Sequence, residues 1–157
     1  MSLEPKMARW VSASVAELLR PIVETTLSLT FFVEGVDLEE KAWFQTDSVV
    51  CRVVGPTPKF GAGIIRYRFE VMVMLTDLVD DTENGFQNHD RLGTIANALC
   101  SPIPVNAWGD GDAQVGCLDI DPSAKDFLRI VPFGKLDTNS EVVQGAVVAR
   151  YEICQDS

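Results

Sequence analysis

The only histidine of this chain, His89, stands beside Asp90 and downstream of Asp80, Asp81 and Glu83, so an imidazole and several carboxylates share one short stretch. Such side chains can act as general acid and base or hold a hard cation. A single histidine limits any such site, however, and an acidic loop running into a helix has the same composition without any chemistry. A small metal-assisted hydrolase using His89 with Asp80, Asp81 and Asp90 is therefore kept as an alternative. It requires stoichiometric metal and an activity that His89→Ala removes. "GDGDAQVGCLDID" supplies a second group of oxygens from Asp110, Asp112, Asp119 and Asp121. It lacks the D-x-[DN]-x-[DN]-G order and the later glutamate of a calcium loop, which leaves them as turn aspartates.

Other chemistry fits less well. "FGAG", residues 60–63, is rich in glycine but lacks G-x-x-x-x-G-K-[ST] and leads into a strand pattern, where no helix amides await a phosphate. No G-x-S-x-G frames a serine, and Ser-His-Asp or Cys-His catalysis would also have to use His89. Cys51, Cys100, Cys117 and Cys154 are spread along the chain with no C-x-x-C pair, which argues against zinc and for reduced, packed thiols. The residues thus assign no catalytic group, no metal and no cofactor, and the chain is expected not to be an enzyme.

Thirteen Lys and Arg against twenty-three Asp and Glu leave a net charge of -10. Such a surface repels phosphate backbones, which excludes a sequence-reading nucleic-acid binder. The charge serves solubility, or it forms a surface past which nucleic acid slides without sticking. At 157 residues the chain is long enough to bury a core without staples and is expected to be one domain, with residues 1–7 set aside as a flexible or appended start. It has no apolar run of the roughly eighteen residues that span a membrane and no signal-peptide pattern, so a soluble, non-secreted chain is expected.

The elements that must position any site follow from periodicity. In "SVAELLRPIVETTL", Val15, Leu18, Leu19, Ile22 and Val23 recur at helical spacing, with Ser12 or Ser14 available as a cap and Pro21 as a kink or a new turn. "LTFFVE", 29–34, reads as a short strand and "DSVVCRVV", 47–54, as another. "GPTPKFGAG", 55–63, reads as a loop before the long strand that starts at residue 64. A second helix is expected over "NHDRLGTIANALC", with Leu92, Ile95, Ala96 and Leu99 as its stripe, Asn88 as its cap and Asp90 in its first turn. Beyond it "IPVNAW" and "AQVGCLDI" flank a turn at Asp110 and Gly111, and Pro132 marks "FLRIVPF" as an edge strand. The last strand places Val143, Gly145, Val147, Ala149, Tyr151 and Ile153 on one face. The fold class is α+β: a mostly antiparallel sheet with a long β-hairpin and two helices packed on one face.

Within "IIRYRFEVMVML", 64–75, Ile65, Tyr67, Phe69, Val71, Val73 and Leu75 form one apolar face, and Arg66, Arg68, Glu70, Met72 and Met74 the other. The strand would run on the order of 40 Å, so it should outrun its first partner. The helices should cover Met72 and Met74, leaving Arg66, Arg68 and Glu70 to protrude and form salt links between subunits. Lys59, Phe60, Arg66, Arg68, Glu70, Met72 and Met74 are thus the candidate inter-subunit surface. Asp80, Asp81, Glu83, Asp110 and Asp112 are the candidate acidic channel or partner surface. Arg66→Glu with Arg68→Glu should impair assembly and leave thermal unfolding nearly unchanged.

An N-terminal helix, the long hairpin "VVCRVVGPTPKFGAGIIRYRFEVMVML", the helix "NHDRLGTIANAL" after an acidic connector and the closing strand "GAVVARYEI" together resemble the tail terminator family of tailed bacteriophages. The resemblance implies a protomer that forms a hexameric ring on the tail tube, ends its polymerisation and joins tail to head, with a channel for DNA passage. It implies as partners the chain itself, the tail tube protein and a head-tail connector or neck protein. DNA passes without specific binding, and no membrane is involved. The implied location is the virion tail, assembled in the bacterial host cytoplasm. Another neck, tail-tube or baseplate component is the alternative assembly.

Overall fold

Six of the seven inward positions on the long strand are apolar, the seventh being the buried Asp77, and the fold is organised around that face. The structure, a computed structural model, describes residues 2–35, 47–78, 82–135 and 142–156. Helix α1 spans Met7–Pro21 and passes into a π-helical turn at Ile22–Thr26. Strands β1, Thr30–Val33, β2, Ser48–Gly61, and β3, Ile64–Leu78, precede helix α2, Thr82–Leu99. Strands β4, Ile103–Asn106, β5, Gln114–Ile120, β6, Leu128–Lys135, and β7, Val142–Asp156, complete the order. The sheet runs β1-β2-β3-β7-β5-β4 with β6 also on β7, and only the β1–β2 pair is parallel. The expected α+β class is the observed one. No helix among the described residues is long and apolar enough to cross a membrane.

Helix α1 starts before the expected stretch. Met7, Val11, Val15 and Leu19 repeat at i, i+4 on its buried side, and the turn at Pro21, which has no N–H to donate, gives way to the wider π turn. Ser14 is no cap: it is buried mid-helix, and its Oγ accepts from Asn106 N–H and Trp108 Nε1, both at 3.1 Å. Residues set aside as an appended start are engaged, since Glu4 N–H donates to the Tyr67 hydroxyl at 2.9 Å and Met7 is buried.

Helix α2 buries the expected Leu92, Ile95, Ala96 and Leu99. It too begins earlier, so Asn88 is not its cap and Asp90 is not in its first turn. Asn88 is buried and accepts from Arg91 Nη1 at 3.0 Å, while the same nitrogen reaches Asp77 on β3 at 3.3 Å. Its C-terminal end meets Tyr151, whose hydroxyl donates to the Leu99 carbonyl, one of the acceptors that the helix leaves open.

The stretch expected as a loop at 55–63 is strand. β2 and β3 stay paired from Ser48↔Thr76 to Gly61↔Ile64, with a bulge between Val54 and Thr57. β1 reaches β2 only at Ser48–Cys51, so Pro56 and Pro58 lie where β2 is an outer strand, a place that tolerates their missing N–H. Gly55 makes the bulge possible: its φ is +128°, and a Cβ there would lie 2.7 Å from the Arg68 carbonyl. The turn shrinks to Ala62 and Gly63, both left-handed at φ 49° and 79°. β3 outruns its first partner by only two residues, Asp77 and Leu78, because β2 continues through the expected loop, and β7 follows it from Ile64↔Asp156 to Leu78↔Val142.

Both helices pack on the Ile65–Leu75 face, which joins β7 residues Val147, Ala149, Tyr151 and Ile153 in the main core. The methionines are therefore not beneath the helices, as expected, but on the opposite face. There Phe32, Val50, Met74, Ala146 and Val131 stand in register across five strands. Phe32, Val50 and Met74 form a small second cluster with Met72 and Ala146 against it. A helix stripe selects the continuous apolar face, and only one end of the other face qualifies.

Candidate interaction surface

Of the residues suggesting acid–base or metal chemistry, His89 and Asp90 lie exposed on α2. Asp80 and Asp81 lie outside the described residues, as does the side chain of Glu83 on α2. Among the described residues, no three His, Cys, Asp or Glu side chains converge as metal ligands do. Nor are the thiols all packed: Cys51 is buried, and burial pushes it up to about 12, whereas Cys100 and Cys154 are exposed.

The turn aspartates have local tasks. Asp112 accepts from the Gly109 N–H at 2.9 Å. Asp110 binds the start of α1, accepting from Lys6 Nζ at 2.7 Å, from Trp10 Nε1 at 3.2 Å and from Arg9. The Lys6 hydrogen bond leads the effects that hold its carboxyl below the usual range, with Trp10 and the two cationic charges adding to it. Its negative charge is matched within the chain.

On the outward face of the β2–β3–β7 region, side chains stand in charged rows. Glu70 lies opposite Arg150 and pairs with it at 3.3 Å. Arg68 lies opposite Glu152, which also faces Asp119, and its Nε is 3.8 Å from Asp121 Oδ2, buried and without a hydrogen bond. Burial opposes the Asp121 charge. The Ser123 N–H at 2.9 Å and hydroxyl at 2.7 Å, with Arg68 and Arg150 nearby, outweigh it and hold the carboxyl below its usual range. Arg68 and Glu70 thus have partners inside their own chain.

The end of the hairpin is different. Lys59 and Arg66 stand directly opposite each other, two exposed like charges in one cross-strand pair, an arrangement that weakens the ladder. Neither has an acidic partner among the described residues. Next along β2, Phe60 is 56% exposed although it pairs with the buried Ile65, and it points to the opposite face from Lys59 and Arg66.

No family model matches this chain, and no curated protein matches it. The candidate surface therefore rests on geometry. Of the seven residues read as an interface, Lys59, Phe60 and Arg66 gather at the hairpin end, Arg68 and Glu70 join internal ion pairs, and Met72 and Met74 lie farther along the strand in the second cluster. Alternation alone could identify a charged face but not its partners, since Asp121, just past the end of β5, and Arg150, on β7, are far away in the sequence.

Proposed function

We propose that this chain is a ring-forming structural protein of a tailed-bacteriophage virion, the tail terminator that closes the tail tube and joins it to the head. The observation that carries the reading is the hairpin end: two exposed cations paired on one face and an exposed phenyl ring on the other, on a chain of net charge -10. A cationic, aromatic end on an acidic chain suits an acidic protein surface, and a second copy of the same chain supplies one. The element order that resembles the terminator family supports the same reading, as does the sheet built on one long hairpin. Its role is assembly without turnover, and the partners are the tail tube and a neck protein. The acidic surface of the ring lets DNA pass without adhering.

Native mass spectrometry over a concentration series, with negative-stain imaging of the assembled fraction, tests this. Closed hexamers with a central hole are expected. Open tubes of the chain itself would make it a tube component, and a chain that stays monomeric at every concentration would overturn the ring.

A further inference from the structure

Against α1, on the side facing the end of β1, lies a groove of about 570 Å³, within the roughly 300–1,000 Å³ range of clefts that hold ligands. Ala8, Ser12, Ala13 and Ala16 give it a shallow floor. Trp108 forms a wall, its indole held by the bond from Nε1 to Ser14. Most charges around it are matched at home: Arg9 with Asp110, Arg20 with Glu24 at 3.2 Å, and Glu34 with Arg52. Arg20 also lies over the Phe31 ring, 5.2 Å from its centroid. Glu17 is the exception, an exposed carboxylate with no ion-pair partner among the described residues.

We infer that this groove receives the hairpin end of a second copy of the chain, entered tip first, with Phe60 from one face of the hairpin against the alanines and Trp108, and Lys59 and Arg66 from its other face toward Glu17. The inference rests on the ring reading and names its contact. Three observations carry it. The charges are complementary: the hairpin end carries two unmatched cations on one face and the exposed phenyl ring on the other, and the groove carries an unmatched carboxylate among its small residues. The two sites cannot meet within one chain: Val33 at the groove pairs with Cys51, and Phe60 lies on the order of 30 Å farther along β2. Finally, a knob and a hole at different places on one chain form a head-to-tail contact, the kind that closes identical subunits into a ring.

Charge reversal at the two sites tests it, read by sedimentation equilibrium with thermal unfolding as the fold control. Glu17→Lys alone, and Lys59→Glu with Arg66→Glu, should each weaken self-association at least about tenfold and leave the melting temperature unchanged. The chain carrying all three changes should recover it, and Phe60→Ala should weaken association without any change of charge. If the wild type assembles but Glu17→Lys assembles equally well, or the triple variant stays as dissociated as its parents, the groove is not the receptor and the ring reading stands without it. A wild type that never associates overturns both.

Discussion

Single side chains divide here into those occupied within the fold and those left over. Arg68 and Arg66 look equivalent in the strand pattern, two residues apart on one face, yet Arg68 lies beside the buried Asp121 and Arg66 faces only Lys59 among charged neighbours. Reversing both should therefore not be neutral for folding, as the pattern suggested. Arg68→Glu should lower stability by about 1–2 kcal/mol in a chemical denaturation curve, because it faces Glu152 and abandons Asp121. Arg66→Glu should change it by less than about 0.5 kcal/mol. Asp121 also sets a pH window. Its carboxyl is held below the unfolded value of about 3.9, so its contribution is present above that pH and is lost as pH falls through the lower folded value. Asp121→Ala should cost about 1–3 kcal/mol near neutrality, and the difference from wild type should shrink in melts as pH falls below the unfolded value.

At the scale of elements, two glycines separate local propensity from local necessity. Gly93 lies in α2 with open space where its Cβ would be, so Gly93→Ala should raise stability by about 1 kcal/mol, a gain of roughly 2–4 °C in melting temperature. Gly55 shapes the β2 bulge, with positive φ and the Arg68 carbonyl in the way of any Cβ. Gly55→Ala should therefore cost more than about 1 kcal/mol in the same measurement and disturb the outer half of the hairpin. That outer half carries Lys59 and Phe60, so the bulge links an element's backbone to the proposed contact.

The whole molecule carries far more negative than positive charge; seven of its described cations are tied into ion pairs, and of those without one, Lys125, Arg129, Lys59 and Arg66, only the last two, at the hairpin end, stand directly opposite each other across a strand pair. Association through that end should weaken as salt rises from about 0.05 to 0.5 M, because exposed charges are screened over shorter distances. Sedimentation equilibrium across that range checks this. Association that strengthens with salt would point to apolar contact alone and away from Lys59, Arg66 and Glu17. The second cluster of Phe32, Val50 and Met74 makes the same distinction from the other side, since Met74, named with Met72 in the candidate inter-subunit surface, is buried within the fold.

Much of the fold was legible in the sequence because alternation and helical spacing are written into neighbouring residues. The two stripes at Val15–Leu19 and Leu92–Leu99, the apolar faces of β3 and β7, and the edge position of Pro132 all follow from period and composition. So does the acidity, which composition alone records. Tertiary structure alone decided the rest. Proline and glycine at 55–63 signal a loop locally, yet β3 is long enough to hold them in an outer strand. Ser14 and Asn88 have the chemistry of caps, but their partners Trp108 and Arg91 draw them into helix interiors. Which face the helices cover, which arginine meets Asp121 and which cations remain unmatched depend on residues far apart in the chain. Such contacts are settled by where burial and pairing can be satisfied together, and no local pattern records that.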